Sequence, residues 1–144
     1  MKLLDNNKIK IIKLESVKQA IVECGNLLIE NGLTDQRYTQ SMLETYESFG
    51  PYMLVLDGVA LFHGRFGDGV HKSGLVLIMS NDFLEIEDSE KRLKLCFAFC
   101  SKDNVSHMEY IQKFAELLLE EGTVASLLDA NTVEQVLEII NKKE

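Results

Sequence analysis

Two histidines carry the chemistry this sequence can offer. His63 ends the run Gly50-Pro-Tyr-Met-Leu-Val-Leu-Asp-Gly-Val-Ala-Leu-Phe-His63-Gly-Arg65. An apolar segment climbs to it and a glycine follows, the pattern of an imidazole at the exit of a buried strand. A strand holds such a side chain rigidly while leaving it open to solvent, where it can meet another macromolecule. Neutral imidazole is a nucleophile near pH 7, and no other side chain has an unperturbed pKa so close to neutrality. His107 lies in Ser101-Lys-Asp-Asn-Val-Ser-His107-Met, after the apolar run Leu93–Cys100 and at the opening of a helical pattern. That is a helix N-terminus, where unpaired N–H groups attract anions. If the two strands are neighbours, both histidines emerge at one sheet edge and line one anion-friendly pocket. Arg65 offers a guanidinium to a phosphoryl group or an acidic protein. Each residue also has a plainer reading: a strand-end imidazole on a backbone carbonyl, a capping-region histidine, a solvated loop arginine. His71, in Gly69-Val-His71-Lys, reads as exposed surface.

The elements that must position these residues follow from periodicity. Ile9 to Leu14 reads as a first strand. Ser16 and Gln19 form a capping box for a helix with Ala20, Ile21, Cys24, Leu27, Leu28 and Ile29 as its stripe, stopped at Gly32. Asp35 caps a second helix carrying Tyr38, Met42, Leu43 and Tyr46, ended by Gly50-Pro51. Met53 to Leu56 and Val59 to Leu61 read as strands around an Asp57-Gly58 turn, and Gly64 to Gly69 as an exposed loop. Leu75 to Met79 is a central strand, Phe83 to Ile86 a short edge strand, and Leu93 to Cys100 another strong strand. Ser106 to Glu120 is the clearest helix, with Ile111, Phe114, Ala115, Leu117 and Leu118 inward. A helical turn over 123–128 follows, and Thr132 with Gln135 caps a last helix. The order predicts one α/β domain over 1–144, a mixed β-sheet flanked by helices on both faces.

Composition removes several function classes. Fifteen Lys and Arg against 23 Asp and Glu give a net charge of −8, so nothing repays repulsion from a phosphate backbone and no nucleic acid is expected. The odd count of three cysteines without a CxxC pair fits reduced thiols and a cytoplasmic location. Neither a signal peptide nor a membrane span is legible, so no direct membrane insertion is expected. Scattered histidines without an HExxH motif give no metal site. Gly67-Asp-Gly69 lacks the rest of a dinucleotide or P-loop fingerprint. The carboxylate run Glu85, Glu87, Asp88, Glu90 reads as a solvated loop.

The stretch Tyr46 to Gly74 resembles the active-site region of the enzyme IIA domains of the phosphoenolpyruvate-dependent phosphotransferase system, mannitol/fructose class. That family carries a segment ending A-aliphatic-P-H-G; here it is Ala60-Leu61-Phe62-His63-Gly64. Phe49-Gly50-Pro51-Tyr52, Gly58-Val-Ala-Leu, His63-Gly64-Arg65 and Gly69-Val70 look closest to the ascorbate-type branch. The family's second active-site histidine opens a helix after a strand, and Val105-Ser-His107-Met matches that place. Element order agrees nearly from end to end.

The resemblance implies the mannitol/fructose-type IIA fold and a phosphotransferase that needs no cofactor. His63 would accept a phosphoryl group from the phosphocarrier HPr and pass it to a cysteine of an enzyme IIB domain. A membrane IIC component would couple transfer to uptake of a sugar or a sugar acid such as ascorbate. His107 and the helix N-terminus would stabilise the phosphoryl oxygens. Two departures stand out. Phe62 replaces the usual proline, restoring a backbone N–H and adding bulk. Leu43-Glu-Thr-Tyr-Glu47 lacks an arginine that many members carry, and Arg65 is expected to supply the cation instead. With Gly64, Phe62 and Phe66 are expected to form a docking rim around His63, and the acidic surface to complement a basic partner. The alternative is a regulatory module of the same fold whose phosphorylation state controls a partner, a reading motivated by Phe62. The apolar ends of the chain permit a homodimer.

Overall fold

The computed structural model describes residues 3–65, 67–87 and 89–141. Five strands form one mixed sheet in the order β1-β4-β5-β3-β2. They are β1 (Ile9–Ile11), β2 (Leu54–Leu56), β3 (Gly58–Phe62), β4 (Gly74–Leu84) and β5 (Leu93–Cys100). β3 runs parallel to β5 and β1 parallel to β4, whereas β4–β5 and β2–β3 are antiparallel. Every side chain of β5 is buried, as its uninterrupted apolar run requires of a strand covered on both faces.

The two coverings are separate cores. On one face α1 (Val17–Glu30) and α2 (Gln36–Phe49) pack Ile21, Cys24, Leu28, Tyr38 and Met42 against Ala60, Phe62, Cys96 and Ala98. On the other, α3 (Asn104–Leu119), α4 (Thr123–Asp129) and α5 (Val133–Asn141) pack Phe114, Leu117, Leu127 and Val136 against Val59, Leu61, Phe97 and Phe99. The period of two along β3 and β5 sorts successive residues between these cores. Phe97 lies at the centre of the second, edge-to-face with Phe114 at a centroid distance of 5.0 Å.

Local chemistry sets the helix ends. Ser16 Oγ accepts the Gln19 N–H at 3.0 Å and Gln19 Oε1 accepts the Glu15 N–H at 3.0 Å. Asp35 Oδ1 accepts the Arg37 N–H at 2.9 Å. Thr132 Oγ1 accepts the Gln135 N–H at 3.1 Å, and Gln135 answers at Asn131 and Thr132. Gly25 is needed for contact rather than conformation: a Cβ there would strike the Thr39 side chain, so its absence lets α1 and α2 close together. The buried Lys94 reaches the carbonyl of Leu128 at the end of α4, a cation on a helix C-terminus.

Several expectations need correction. No separate edge strand covers Phe83 to Ile86. β4 continues through Leu84, with a register shift between Met79 and Leu84 that let the sequence read as two pieces. α3 begins at Asn104 rather than Ser106, because Asp103 is the cap and accepts the Ser106 N–H at 2.8 Å. Ala115 is exposed, off the Phe114–Leu117 stripe. Asp88 and Phe66 lie outside the described residues. Cys24, Cys96 and Cys100 are free buried thiols, as their apolar settings implied. Among the described residues no helix is long and apolar enough to cross a membrane.

Truncating Phe97 to alanine removes the ring that joins β5 to α3. Urea unfolding of Phe97→Ala is expected to show a loss of about 3–5 kcal/mol, and a loss under 1 kcal/mol would mean this core does not close as described.

Candidate functional site

His63 follows β3 directly, and the β3–β5 register, in which Phe62 faces Ala98, carries it beside Phe99. Alternation gives it the side of Leu61, the face covered by α3. The His63 and Phe99 rings stand 5.6 Å apart, and Phe99 and His107 5.1 Å apart, so both imidazoles contact the same phenyl ring. His107 reaches this place because α3 starts only a few residues after β5 ends. Both histidines thus sit at the carboxyl ends of parallel strands, the edge where open α/β sheets bind their ligands.

The backbone after His63 is clamped by α2. The Gly64 N–H donates to Tyr38 Oη at 2.9 Å, and that hydroxyl donates to the Phe99 carbonyl at 2.6 Å. Tyr38 therefore ties the exit of β3 to the exit of β5, and burial pushes its pKa upward, keeping the hydroxyl protonated. The Arg65 N–H donates to Ser41 Oγ at 2.8 Å. A Cβ at position 64 would fall 2.6 Å from Ser41 Oγ and 3.0 Å from the Met42 nitrogen, so only glycine seats the loop on the helix.

His63 is half-buried. Burial pulls its pKa below the ordinary 6.5, hydrogen bonding to the Gly64 backbone opposes this, and the nearby His107 adds to the lowering. The ring is therefore held neutral, the state in which imidazole is a nucleophile. It opens onto a cleft of about 280 Å³ lined with Phe49, Tyr52 and Met53. Tyr52 is 86% and Phe49 59% exposed, and Val105 (72%) and Met108 (57%) are exposed on either side of His107 in the chain. A larger cavity of about 590 Å³, among Ser126, Asp129, Gln135 and Glu138, includes neither histidine.

The structure brings His63, Gly64 and His107 together as expected but revises three roles. Phe62 is fully buried in the α1/α2 core. β3 extends one residue further than its apolar pattern implied, and alternation turns Phe62 away from His63, so it forms no docking rim. Arg65 is committed to two carboxylates, Glu44 and Asp68, each at 2.8 Å. One guanidinium between two carboxylates leaves the trio with net negative charge, a poor cradle for a phosphoryl group. The N-terminus of α3 is already occupied, since the Asp103 carboxylate accepts the Ser106 N–H and is held below its ordinary pKa by that bond first. His71 is exposed and pairs with Asp35 at 3.0 Å. Among the described residues no group of three or more His, Cys, Asp or Glu could hold a metal ion.

Sequence reasoning missed Tyr38, Ser41 and Phe99 as the site's supports, and Phe49 and Tyr52 as its rim. Ser41 left one trace, a hydroxyl inside the apolar stripe of α2 between Tyr38 and Met42. Phe49 and Tyr52 left another, two large apolar side chains at a helix stop.

With the His63 pKa lowered, NMR titration should give it a midpoint below 6.5. Phosphoryl acceptance should be flat above that pH and decline as pH falls through the midpoint, because protonation removes the attacking lone pair. Gly64→Ala forces the loop off α2 and should cost about 1–3 kcal/mol in urea unfolding, with displaced His63 ring resonances; unchanged resonances would refute the clamp.

The comparisons with known proteins agree with this geometry. The family model described as "Phosphoenolpyruvate-dependent sugar phosphotransferase system, EIIA 2" matches residues 2–143. A protein of Salmonella typhimurium named "Ascorbate-specific PTS system EIIA component" is 30% identical over 144 residues, spanning 97% of this chain and 93% of its own. The solution structure of the mannitol-specific cryptic phosphotransferase enzyme IIA from Escherichia coli superposes with a TM-score of 0.87 at 27% identity, covering 99% of each chain. Enzyme IIA for mannitol in its complex with phosphorylated enzyme IIB, also from Escherichia coli, shares the fold with a TM-score of 0.82 at 23% identity, over 96% of this chain and 97% of that one. The neutral imidazole at the strand exit thus stands in a known setting: the chain belongs to the EIIA 2 family of the phosphoenolpyruvate-dependent sugar phosphotransferase system.

Proposed function

We propose that His63 is the residue that carries the phosphoryl group. The observation that supports this is the pair of histidines gathered on the Phe99 ring, with His63 kept neutral beside an open aromatic cleft. The lone pair of one His63 ring nitrogen attacks phosphorus in the phosphohistidine of HPr. The donor's P–N bond breaks as the new one forms. In the second step a cysteine thiolate of enzyme IIB attacks the same phosphorus, the P–N bonding pair returns to the ring nitrogen, and His63, which kept its N–H throughout, leaves as neutral imidazole. Such transfer needs positioning and charge stabilisation more than covalent help. His107, which contacts the same Phe99 ring and acts electrostatically on His63, is the side chain placed to meet the phosphoryl oxygens. No metal or cofactor takes part in either step.

The exposed Phe49, Tyr52, Val105 and Met108 supply the apolar contact surface that the two partners share in turn. This rim takes the role expected of Phe62. Enzyme IIC, in the membrane, then couples the second transfer to uptake. The reading places the chain in the cytoplasm, where HPr and enzyme IIB meet it. A sugar acid of the ascorbate type is the transported compound favoured by the ascorbate-specific relative. The regulatory alternative drew on Phe62, and the burial of that ring removes its motive.

Incubation with labelled phosphoenolpyruvate, enzyme I and HPr should put acid-labile label on the wild type and none on His63→Ala. His107→Ala should still be labelled, at a rate lower by roughly tenfold or more. Label that survives in His63→Ala would refute the assignment. Discharge of that label by an ascorbate-type enzyme IIB, but not a mannitol-type one, checks the substrate class.

A further inference from the structure

We propose that Tyr38 is a positioning residue for the transfer: its hydroxyl, set as a spacer between the Gly64 N–H and the Phe99 carbonyl, fixes the backbone of His63 at the distance from β5 that lets His107 meet the phosphoryl oxygens. The proposal deepens, and rests on, the reading of His63 as phosphoryl acceptor.

β3 pairs with β5 as far as Phe62 and Ala98 and stops there. Continued by two residues, that register would set Gly64 opposite Cys100. In a parallel ladder an N–H slants to the carbonyl one place before its opposite number, which here is Phe99. Both groups go to one side chain instead. The Gly64 N–H donates to Tyr38 Oη at 2.9 Å, and the same hydroxyl donates to the Phe99 carbonyl at 2.6 Å. The roles are fixed, since an N–H can only donate and a carbonyl only accept. One side-chain oxygen therefore replaces a rung of the ladder. It holds the two strand exits apart by its own width where the imidazole leaves the sheet.

This places His63 from both sides. Phe62, before it, is fully buried and paired. The peptide after it is trans, with its N–H on Tyr38 and its carbonyl pointing the opposite way. With both flanking peptides held, the direction of the His63 Cβ is held too. The other arm of the hydroxyl holds the backbone of Phe99, whose ring both imidazoles contact. The spacing of the two histidines is thus governed by an oxygen that belongs to neither. The anchor is firm. Tyr38 is 1% exposed within the core under α1 and α2, and its own N–H is held by the Asp35 carbonyl at 3.0 Å in the first turn of α2. A phenylalanine ring would fill the same space, so packing alone does not call for the hydroxyl. A buried tyrosine must satisfy that group somewhere; this one does so on the two strand exits that carry the site.

Tyr38→Phe keeps the ring and removes the spacer. Its kcat for phosphoryl acceptance from phospho-HPr should fall about tenfold or more. Its KM should stay put, since a buried hydroxyl never meets the donor. A double-mutant cycle with His107→Ala separates positioning from packing. If Tyr38 aligns the two histidines, their losses overlap: His107→Ala should cost less than about threefold in the Tyr38→Phe background, against roughly tenfold or more in the wild type. Losses that simply multiply would reduce Tyr38 to packing and overturn the proposal. So would a Tyr38→Phe protein with the wild-type kcat, or a His107→Ala change that costs the wild type nothing. Amide exchange followed by NMR tests the wild type without any variant. The Gly64 N–H should exchange at least about a hundredfold more slowly than in an unstructured peptide. An unprotected Gly64 amide would overturn the proposal even if Tyr38→Phe failed to fold. A wild type that takes no phosphoryl group would overturn the carrier reading and this proposal together, whereas each other failure leaves the carrier reading intact.

Discussion

The parallel pairing of β3 with β5 is the constraint on which the rest depends. It sets Phe62 opposite Ala98 and so sets His63 beside Phe99. A slip of one residue would exchange the two faces of β3, sending Phe62 toward α3 and the imidazole toward α2. Burial on both sides forbids this, because Ala60 and Phe62 fill one core while Val59 and Leu61 fill the other. The apolar residues of β3 therefore specify where the imidazole after them must stand. Parallel pairing also puts both strand exits at one edge, which an antiparallel pair would place at opposite edges.

The electrostatics of the site are unusual for a protein that handles phosphoryl groups. Arg65 is neutralised by Glu44 and Asp68, and the N-terminus of α3 is capped by its own aspartate. Neither common source of positive potential is open. A carrier has a different need from an enzyme that holds a phosphate through a reaction. It must receive a group and give it up again, and strong binding of the loaded state would raise the barrier to the second transfer. A neutral imidazole with a second histidine on the same phenyl ring suits that need. Much of the transition-state charge can then be met by the partner proteins, whose own groups arrive with each docking.

The fold was largely legible because its signals are local. Capping boxes at Ser16 and Thr132, the Asp35 cap and the unbroken apolar run of β5 each fix an element without knowledge of the others. Reading failed where an element's identity depends on its neighbours. β4 looked like two strands because its far end changes register and loses its cover, and only pairing with β5 joins the pieces. The same division applies to the site. His63 and His107 announced themselves by residue type and position. Their supports did not, since a buried serine and tyrosine on α2 resemble ordinary helix residues until the loop after β3 is seen lying on them. Arg65 erred in the other direction: its charge was plain, but Glu44, 21 positions away, decides what that charge does.

Phe62 shows how a departure from a family's pattern can preserve the underlying requirement. A proline before the reactive histidine stiffens the backbone by locking φ, but it cannot donate to a sheet. Phenylalanine does not lock φ. It lets β3 stay paired with β5 through position 62, and its ring is driven into the α1/α2 core with no exposed surface. The residue before His63 is thus immobilised by sheet pairing and burial rather than by a pyrrolidine ring. The cost moves elsewhere, because the chain must turn sharply out of the sheet immediately afterwards. Gly64 meets that demand by pressing against Ser41 and Met42, where no side chain fits. Rigidity on one side of His63 comes from β5 and on the other from α2, and because β5 also packs Phe97 and Phe99 into the core it shares with α3, the same strand helps to place the partner histidine.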